Sequence, residues 1–318
     1  MRILFLTNSH FDPTEEERAA LLSEFDDIEL TVTALASYDP ALLDEAEIIV
    51  GFPKAEDLRR AQKLRWLQTP SSGVGQYVDR NLFANDEVIL TNAKGTYGPQ
   101  IADHVLGMII GFNHHLFIYH EQMKEQTWHR YVPAKDLWQS TILIIGFGDI
   151  GTNLARRAKA HGMHTVVVKR TLEEKPLYVD ELYTTCELDR LLSEADYVVL
   201  CAASTGETEH LIDADRLALM QQGAYLINVG RGSLVDEEAL IKTLESGHLG
   251  GAGLDVTAVE PLAKESPLWK LPNVLITPHA SGLSHSDPHL VFALFVENLR
   301  RFVDKEALKN IVDFDRGY

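Results

Sequence analysis

Cysteine is nearly absent from the 318-residue chain: Cys186 and Cys201 are the only two. Two thiols, each near an apolar stretch, build no disulfide framework. That excludes the small stapled secreted class and fits a reducing cytosol. Basic residues are also scarce, with 29 Lys and Arg against 47 Asp and Glu, a formal net charge of −18. Such a chain is repelled by nucleic acid and by anionic membranes, so neither is expected as a partner. The acids are spread along the chain and form no tail, as on a solvated surface. No apolar run is long enough to span a bilayer. The opening MRILFLTNSH turns polar too soon for a signal peptide. Internal repeats and low-complexity segments are lacking too. What remains is an ordinary soluble composition, long enough for two domains, with a cytoplasmic location expected.

What is present is a rhythm. In the N-terminal part, apolar runs at 3–6, 28–32, 48–50, 64–67 and 88–90 alternate with polar stretches of helical period, such as 14–25. That alternation predicts a parallel sheet covered by helices. NAKGTYGPQ interrupts it near Asn92, and Pro99 suits the first turn of a helix. A long segment follows to about residue 126, with only Gly107 and Gly111 as breakers. A second series predicts six strands, at 142–145, 165–168, 197–200, 224–228, 253–256 and 274–277. Six is the count of a Rossmann domain. A last helix is predicted over 288–303, with Leu290, Ala293, Leu294, Val296 and Leu299 roughly on one side.

The first strand of the second series runs into Gly146-Phe147-Gly148-Asp149-Ile150-Gly151. Glycines at this spacing, between a strand and a helix, allow a tight turn, close approach of a pyrophosphate and helix–strand contact. The helix N-terminus then offers N–H groups to the phosphates. The next strand normally ends in an acid that binds the ribose 2′-OH of NAD. Here it ends in Lys169 and Arg170, followed by the hydroxyl of Thr171. Two cations and a hydroxyl suit a phosphomonoester, so NADP(H) is the expected cofactor, with NAD(H) as the alternative. On the NAD(H) alternative, the pair is a solvated strand end. Glu173 and Glu174 are expected to lie beyond the ribose.

Three later stretches each put a reactive residue beside a predicted strand end. LINVGRGSLVDEEAL carries Arg231, GAGLDVTAVEPL carries Asp255 and Glu260, and VLITPHASG carries His279. The carboxyl ends of the strands of an open parallel sheet form its ligand crevice. Arg231 can grip a carboxylate with two parallel bonds. His279 can give or take a proton near neutral pH, and Glu260 can orient its imidazole. Those are the parts that reduction of a 2-oxo acid requires, besides a hydride donor.

At these residues the sequence resembles the D-isomer-specific 2-hydroxyacid dehydrogenase family, over nearly the whole chain. GFGDIG is similar to its cofactor turn, NVGRGSLVDEEAL to its arginine block, DVTAVEPL to its glutamate block and TPHASG to its histidine block. The resemblance implies catalytic roles for Arg231, Glu260 and His279. It implies that Asp255 contacts the nicotinamide carboxamide and that Thr205, Thr208 and Val229 lie at the cofactor. TPSSGVGQYVD resembles the substrate loop, which implies that Ser72 and the N–H groups of Gly73 and Val74 bind the substrate carboxylate opposite Arg231. The implied fold is two doubly wound parallel-sheet α/β domains. A Rossmann cofactor domain, 96–285, is inserted in a flavodoxin-like substrate domain formed by 1–95 and 286–318. NIVDFDRGY is then expected to pack on the first domain. A homodimer bridged by the segment after Pro99 is implied as well.

Lys169 departs from the NAD-selecting acid of most members, Asp103 replaces a usual glutamate and Ala203 a usual proline. His279, His285 and His289 lack the carboxylate or cysteine cluster of a metal site, so no metal is expected. Phe52, Tyr97 and Trp128 are candidates for shaping the pocket. The expected activity is NADPH-dependent reduction of a 2-oxo acid to a D-2-hydroxy acid, of the glyoxylate or hydroxypyruvate reductase type. Formate or phosphite oxidation is an alternative within the family. A dinucleotide-sensing, corepressor-like interaction protein is the alternative outside enzymology.

Overall fold

The computed structural model describes residues 1–9, 11–130 and 133–315. The chain divides into two compact units, Met1–Tyr97 with Leu283–Tyr318, and Gly98–Gly282. The division therefore falls at 97 and 283, where 95 and 286 were expected.

The first unit is a five-stranded parallel sheet: β1 (Arg2–Thr7), β2 (Glu29–Ala34), β3 (Ile48–Val50), β4 (Trp66–Gln68) and β5 (Ile89–Thr91). Its order, β2-β1-β3-β4-β5, is that of flavodoxin. β3 and β4 are buried at every position, as strands covered on both faces must be. Helix α1 (Glu15–Glu24) starts at a capping box in which Thr14 and Glu17 satisfy each other's backbone amides. The C-terminal helix, Asp287–Val303, returns to this unit. Its Phe295 packs edge-on against Phe5 at 5.2 Å and stacks on Trp66 at 5.4 Å. The tail follows it: Ile311 bridges Thr91, and the Val312 amide donates to the Leu90 carbonyl at 2.9 Å. Of the expected tail contact NIVDFDRGY, residues 316–318 lie outside the described residues.

The second unit is a seven-stranded parallel sheet in the order β12-β11-β10-β9-β6-β7-β8. The strands are β6 (Thr141–Ile145), β7 (His164–Val168), β8 (Glu181–Tyr183), β9 (Tyr197–Leu200), β10 (Tyr225–Asn228), β11 (Gly251–Leu254) and β12 (Val274–Ile276). The strand that sequence periodicity did not signal is β8, a half-buried edge strand of mixed polarity. The order reverses direction between β6 and β9, the switch point where doubly wound sheets bind ligands. The helices are α2 (Gly98–Asn113), α3 (Leu116–Lys124), α4 (Asp149–Ala160), α5 (Leu188–Leu192), α6 (Ala214–Leu219) and α7 (Glu237–Glu245).

The unbroken segment expected from 99 to 126 is in fact two helices, α2 and α3, inclined at 66°. The break falls at His115, whose φ of +54° is left-handed, and not at either glycine. Gly111 serves the bend differently. A Cβ there would lie 2.4 Å from the Phe117 ring, so only glycine lets Phe117 fold back onto α2. Among the described residues no single helix is long and apolar enough to cross a membrane.

Candidate active site

The glycine turn joins β6 to α4. Gly146 has φ +101°, and a Cβ on it would lie 2.7 Å from the Ala202 amide nitrogen. A Cβ on Gly151 would lie 2.2 Å from the Gly146 carbonyl oxygen, so the helix can close on the turn only with glycine there. Nothing lies within 4 Å of a Cβ built on Gly148. Gly148 is also the residue before α4 and provides no side-chain cap. Uncapped first-turn N–H groups beside open space fit a dinucleotide pyrophosphate. The Asp149 carboxylate is engaged within the protein, accepting from the Gly98 amide at 2.6 Å and the Asn153 amide group at 3.0 Å. Phe147 and Ile150 complete the turn.

Lys169 follows β7 and does not stand in solvent. Its side chain is 18% exposed, and its ammonium lies 5.8 Å from the centre of the Phe147 ring. Arg170 and Thr171 are exposed next to it. The Glu173 carboxylate folds back to 2.5 Å from Lys169 Nζ. Tyr178 lies 6.5 Å from Phe147, ring to ring, with the Arg156 guanidinium 4.8 Å from its face. Tyr178 is 31 positions from Phe147, and only the fold shows that it belongs to this end of the turn.

After β9, Thr208 Oγ1 receives the Thr205 amide at 2.8 Å and donates to the Ala203 carbonyl at 2.8 Å, closing the loop on itself. Val229, just past β10, is buried. The arginine loop is braced by Asn228, whose side chain donates to the Arg231 carbonyl at 2.9 Å and accepts from the Gly230 amide at 3.1 Å. Among the described residues, the acceptor of the Arg231 guanidinium is the Gly230 carbonyl, at 2.7 Å, and no carboxylate pairs with it. A half-buried guanidinium has five donors, so most remain for an anion.

The arginine and glutamate loops touch. A Cβ on Gly232 would lie 1.8 Å from the Thr257 carbonyl oxygen. The Thr257 amide in turn donates to Glu260 Oε1 at 3.2 Å. Glu260 Oε2 lies 2.8 Å from His279 Nδ1. An ionised carboxylate can only accept, so Nδ1 carries the proton and Nε2 is left for a ligand. His279 has a left-handed backbone, φ +50°, and its amide donates to the Asp255 carbonyl at 2.8 Å. Such a conformation in a non-glycine residue survives only where its surroundings enforce it.

Asp255 does the enforcing. It is 2% exposed. Its carboxylate accepts from the Thr277 hydroxyl at 2.6 Å, the Ala280 amide at 2.9 Å, the Ser281 amide at 3.2 Å and the Ser281 hydroxyl at 2.5 Å. Burial pushes this carboxyl up, but the donors from Ser281, Thr277 and Ala280 outweigh it and hold the group below its ordinary value. His104 on α2 adds a further link, with Nε2 3.1 Å from Thr277 Oγ1. Thr277 spends its proton on Asp255, so it accepts from His104. Sequence reasoning missed His104, which stands 173 positions from its partner.

In the first unit, the turn at Ser72, Gly73 and Val74 has its carbonyls tied down. Ser72 accepts from the Asn92 side chain at 3.1 Å, Gly73 from the Ser71 hydroxyl at 2.6 Å, and Val74 from the Tyr77 amide at 2.8 Å. Tyr97, which is buried, donates to the Pro70 carbonyl. Among the described residues the amides of Ser72, Gly73 and Val74 meet no acceptor. Successive free amides of this kind can donate to an anion. Phe52 packs at the edge of this unit's core. Trp128 is 97% exposed and lies on a surface pocket with Tyr119 and Met123.

Residues 106–281 match the family model described as the D-isomer specific 2-hydroxyacid dehydrogenase, NAD binding domain. The chain is 34% identical to glyoxylate/hydroxypyruvate reductase B of Pectobacterium carotovorum, across 94% of this chain and 95% of the relative. A solved D-isomer specific 2-hydroxyacid dehydrogenase family protein from Aeromonas salmonicida superposes with a TM-score of 0.88 at 34% identity, covering 99% of both chains. The family's enzyme from Xanthobacter autotrophicus, solved with NADPH and MES, gives a TM-score of 0.82 at 29% identity, covering 100% of this chain and 99% of that one. The chain belongs to the D-isomer specific 2-hydroxyacid dehydrogenase family, with the 2-hydroxyacid dehydrogenase activity and NAD(P)(H) cofactor of that family.

Proposed function

We propose that the protein reduces a small 2-oxo acid to its D-2-hydroxy acid and prefers NADPH, with Arg231, Glu260 and His279 as the catalytic set. The observation that carries the reading is the chain of contacts from a guanidinium that meets no carboxylate among the described residues to an oriented imidazole. Gly232 packs on Thr257, Thr257 donates to Glu260, and Glu260 holds His279. Arg231 grips the substrate carboxylate with two parallel bonds and polarises the neighbouring carbonyl. In the reducing direction His279 acts as the imidazolium, protonated on both nitrogens, and gives its Nε2 proton to the carbonyl oxygen as negative charge develops there. Glu260 accepts from Nδ1–H and keeps the ring oriented with Nε2 available for that transfer. In the opposite direction, Nε2 takes the proton from the hydroxyl. A nicotinamide cofactor, when bound, would supply the hydride. Within the first unit, the free amides of Ser72, Gly73 and Val74 offer donors suited to a carboxylate.

At the cofactor, Lys169, Arg170 and Thr171 support NADPH over NADH. Lys169 is held over the glycine turn by Phe147 and is not dispersed in solvent. The relatives named as glyoxylate/hydroxypyruvate reductases make those two oxo acids the first to test. A homodimer belongs to the same reading, because Leu116, Phe117, Met123 and Trp128 expose an apolar surface around α3 suited to a second copy.

The test is turnover of NADPH and of NADH against glyoxylate, hydroxypyruvate and larger 2-oxo acids, followed by absorbance of the reduced nicotinamide. Consumption with at least one oxo acid, faster with NADPH at low cofactor concentration, is the expected outcome. No turnover across the panel refutes the reaction. Equal or better use of NADH refutes the cofactor preference alone.

A further inference from the structure

β7 delivers a cation to the glycine turn, and the structure pairs that cation with an acid of the same loop. Lys169 Nζ and a Glu173 carboxylate oxygen are 2.5 Å apart. The two partners are unequal. The Lys169 side chain is 18% exposed and sits against Phe147, whereas Glu173 is 55% exposed. The lysine is thus the fixed partner, and the glutamate reaches it from the solvent side. A carboxylate and a phosphomonoester recognise an ammonium in the same way, through anionic oxygens at contact distance. Placed together on one cation, they also repel each other.

We propose that Glu173 is a specificity-determining residue: its carboxylate competes with the cofactor's 2′-phosphate for Lys169. The inference rests on the NADPH reading and sharpens it. Glu173 lowers affinity for a 2′-phosphorylated dinucleotide and leaves one with a free 2′-hydroxyl nearly untouched. The preference for NADPH is therefore set by the difference between the lysine's attraction for phosphate and its attraction for its own glutamate. A partly exposed ion pair shifts an equilibrium by about two- to fivefold, which is the size of effect to expect. Screening by salt weakens it further.

The probes are adenosine 2′,5′-bisphosphate and 5′-AMP, titrated calorimetrically into the full-length protein at low ionic strength. Glu173→Gln should bind the bisphosphate about two- to fivefold tighter than wild type does, with 5′-AMP unchanged. In a Lys169→Gln background the same glutamate substitution should bring no gain, because the competition has lost its object. Unchanged or weaker binding of the bisphosphate by Glu173→Gln overturns the inference. So does an equal gain for 5′-AMP, or a gain that persists without Lys169. A wild-type protein that binds 5′-AMP as tightly as the bisphosphate overturns the NADPH reading itself.

Discussion

Asp255→Asn should loosen the loop that carries His279. The side chain keeps its shape and loses its charge. Four donors converge on the carboxylate, from Thr277, Ala280 and twice from Ser281. Hydrogen bonds to a charged acceptor are worth about 1.5–3 kcal/mol, against about 1 kcal/mol for neutral pairs. Weakening each by about 1 kcal/mol removes about 4 kcal/mol. A neutral amide costs less to bury, which offsets part of that loss and leaves about 2 kcal/mol. The most direct assay is hydrogen exchange at the Ala280 and Ser281 amides, both of which donate to this carboxylate. A local opening cheaper by about 2 kcal/mol exchanges roughly thirtyfold faster. His279 loses its enforced backbone with the loop, and a displacement of about 1 Å can lower turnover by up to about 10²-fold. Unchanged exchange at both amides, together with unchanged kcat, would refute the assignment of Asp255 as the anchor. The same carboxylate sets a pH dependence. Its folded value lies below the ordinary one, so its stabilising contribution is complete above that ordinary value, about 3.9. The contribution is lost as pH falls through the depressed value, so exchange at the two amides should accelerate only in strongly acidic solution.

Arg231→Lys keeps the charge but loses the two parallel bonds, so kcat/KM for the oxo acid should fall steeply while NADPH affinity measured by fluorescence titration holds. Wild-type-like kcat/KM would show that Arg231 is not a bidentate clamp. Lys169→Asp should reverse the cofactor preference, since the new carboxylate repels a 2′-phosphate and accepts from a ribose 2′-OH. Charge-assisted bonds worth about 1.5–3 kcal/mol imply a change of ~10²-fold in the ratio of NADPH to NADH affinity. A ratio that does not move would mean that the phosphate is bound elsewhere.

Much of the fold could be read in advance because parallel strands buried on both faces are continuous apolar runs. β3 and β9 coincide with the runs at 48–50 and 197–200. β8 escaped because an edge strand needs only one covered face, and Glu181-Leu182-Tyr183 offers no run. The bend between α2 and α3 escaped for another reason. His114 and His115 carry no local breaking signal, and the turn is stabilised by Phe117 packing where Gly111 leaves room. In the candidate site, the sequence placed Arg231, Glu260 and His279 each after a strand end, and the structure pairs Glu260 with His279 at 2.8 Å. Their supports were not legible in the sequence. Asp255 gave no hint that it gathers four donors from residues more than twenty positions away. Nothing in the sequence pairs Glu173 with Lys169, which the loop after β7 brings to 2.5 Å. Spacing along the chain reveals what lies on one element; pairings between loops depend on how the sheet brings strand ends together.

The central claim is that His279, held by Glu260, moves the proton in the reduction of a 2-oxo acid. Single-turnover oxidation of enzyme-bound NADPH by hydroxypyruvate, compared between wild type and His279→Ala, tests it most directly. The account predicts a wild-type phase that is ~10²–10⁴-fold faster than the variant's, with the same NADPH affinity in both proteins. Equal rates in the two proteins would contradict it and remove His279 from the chemistry.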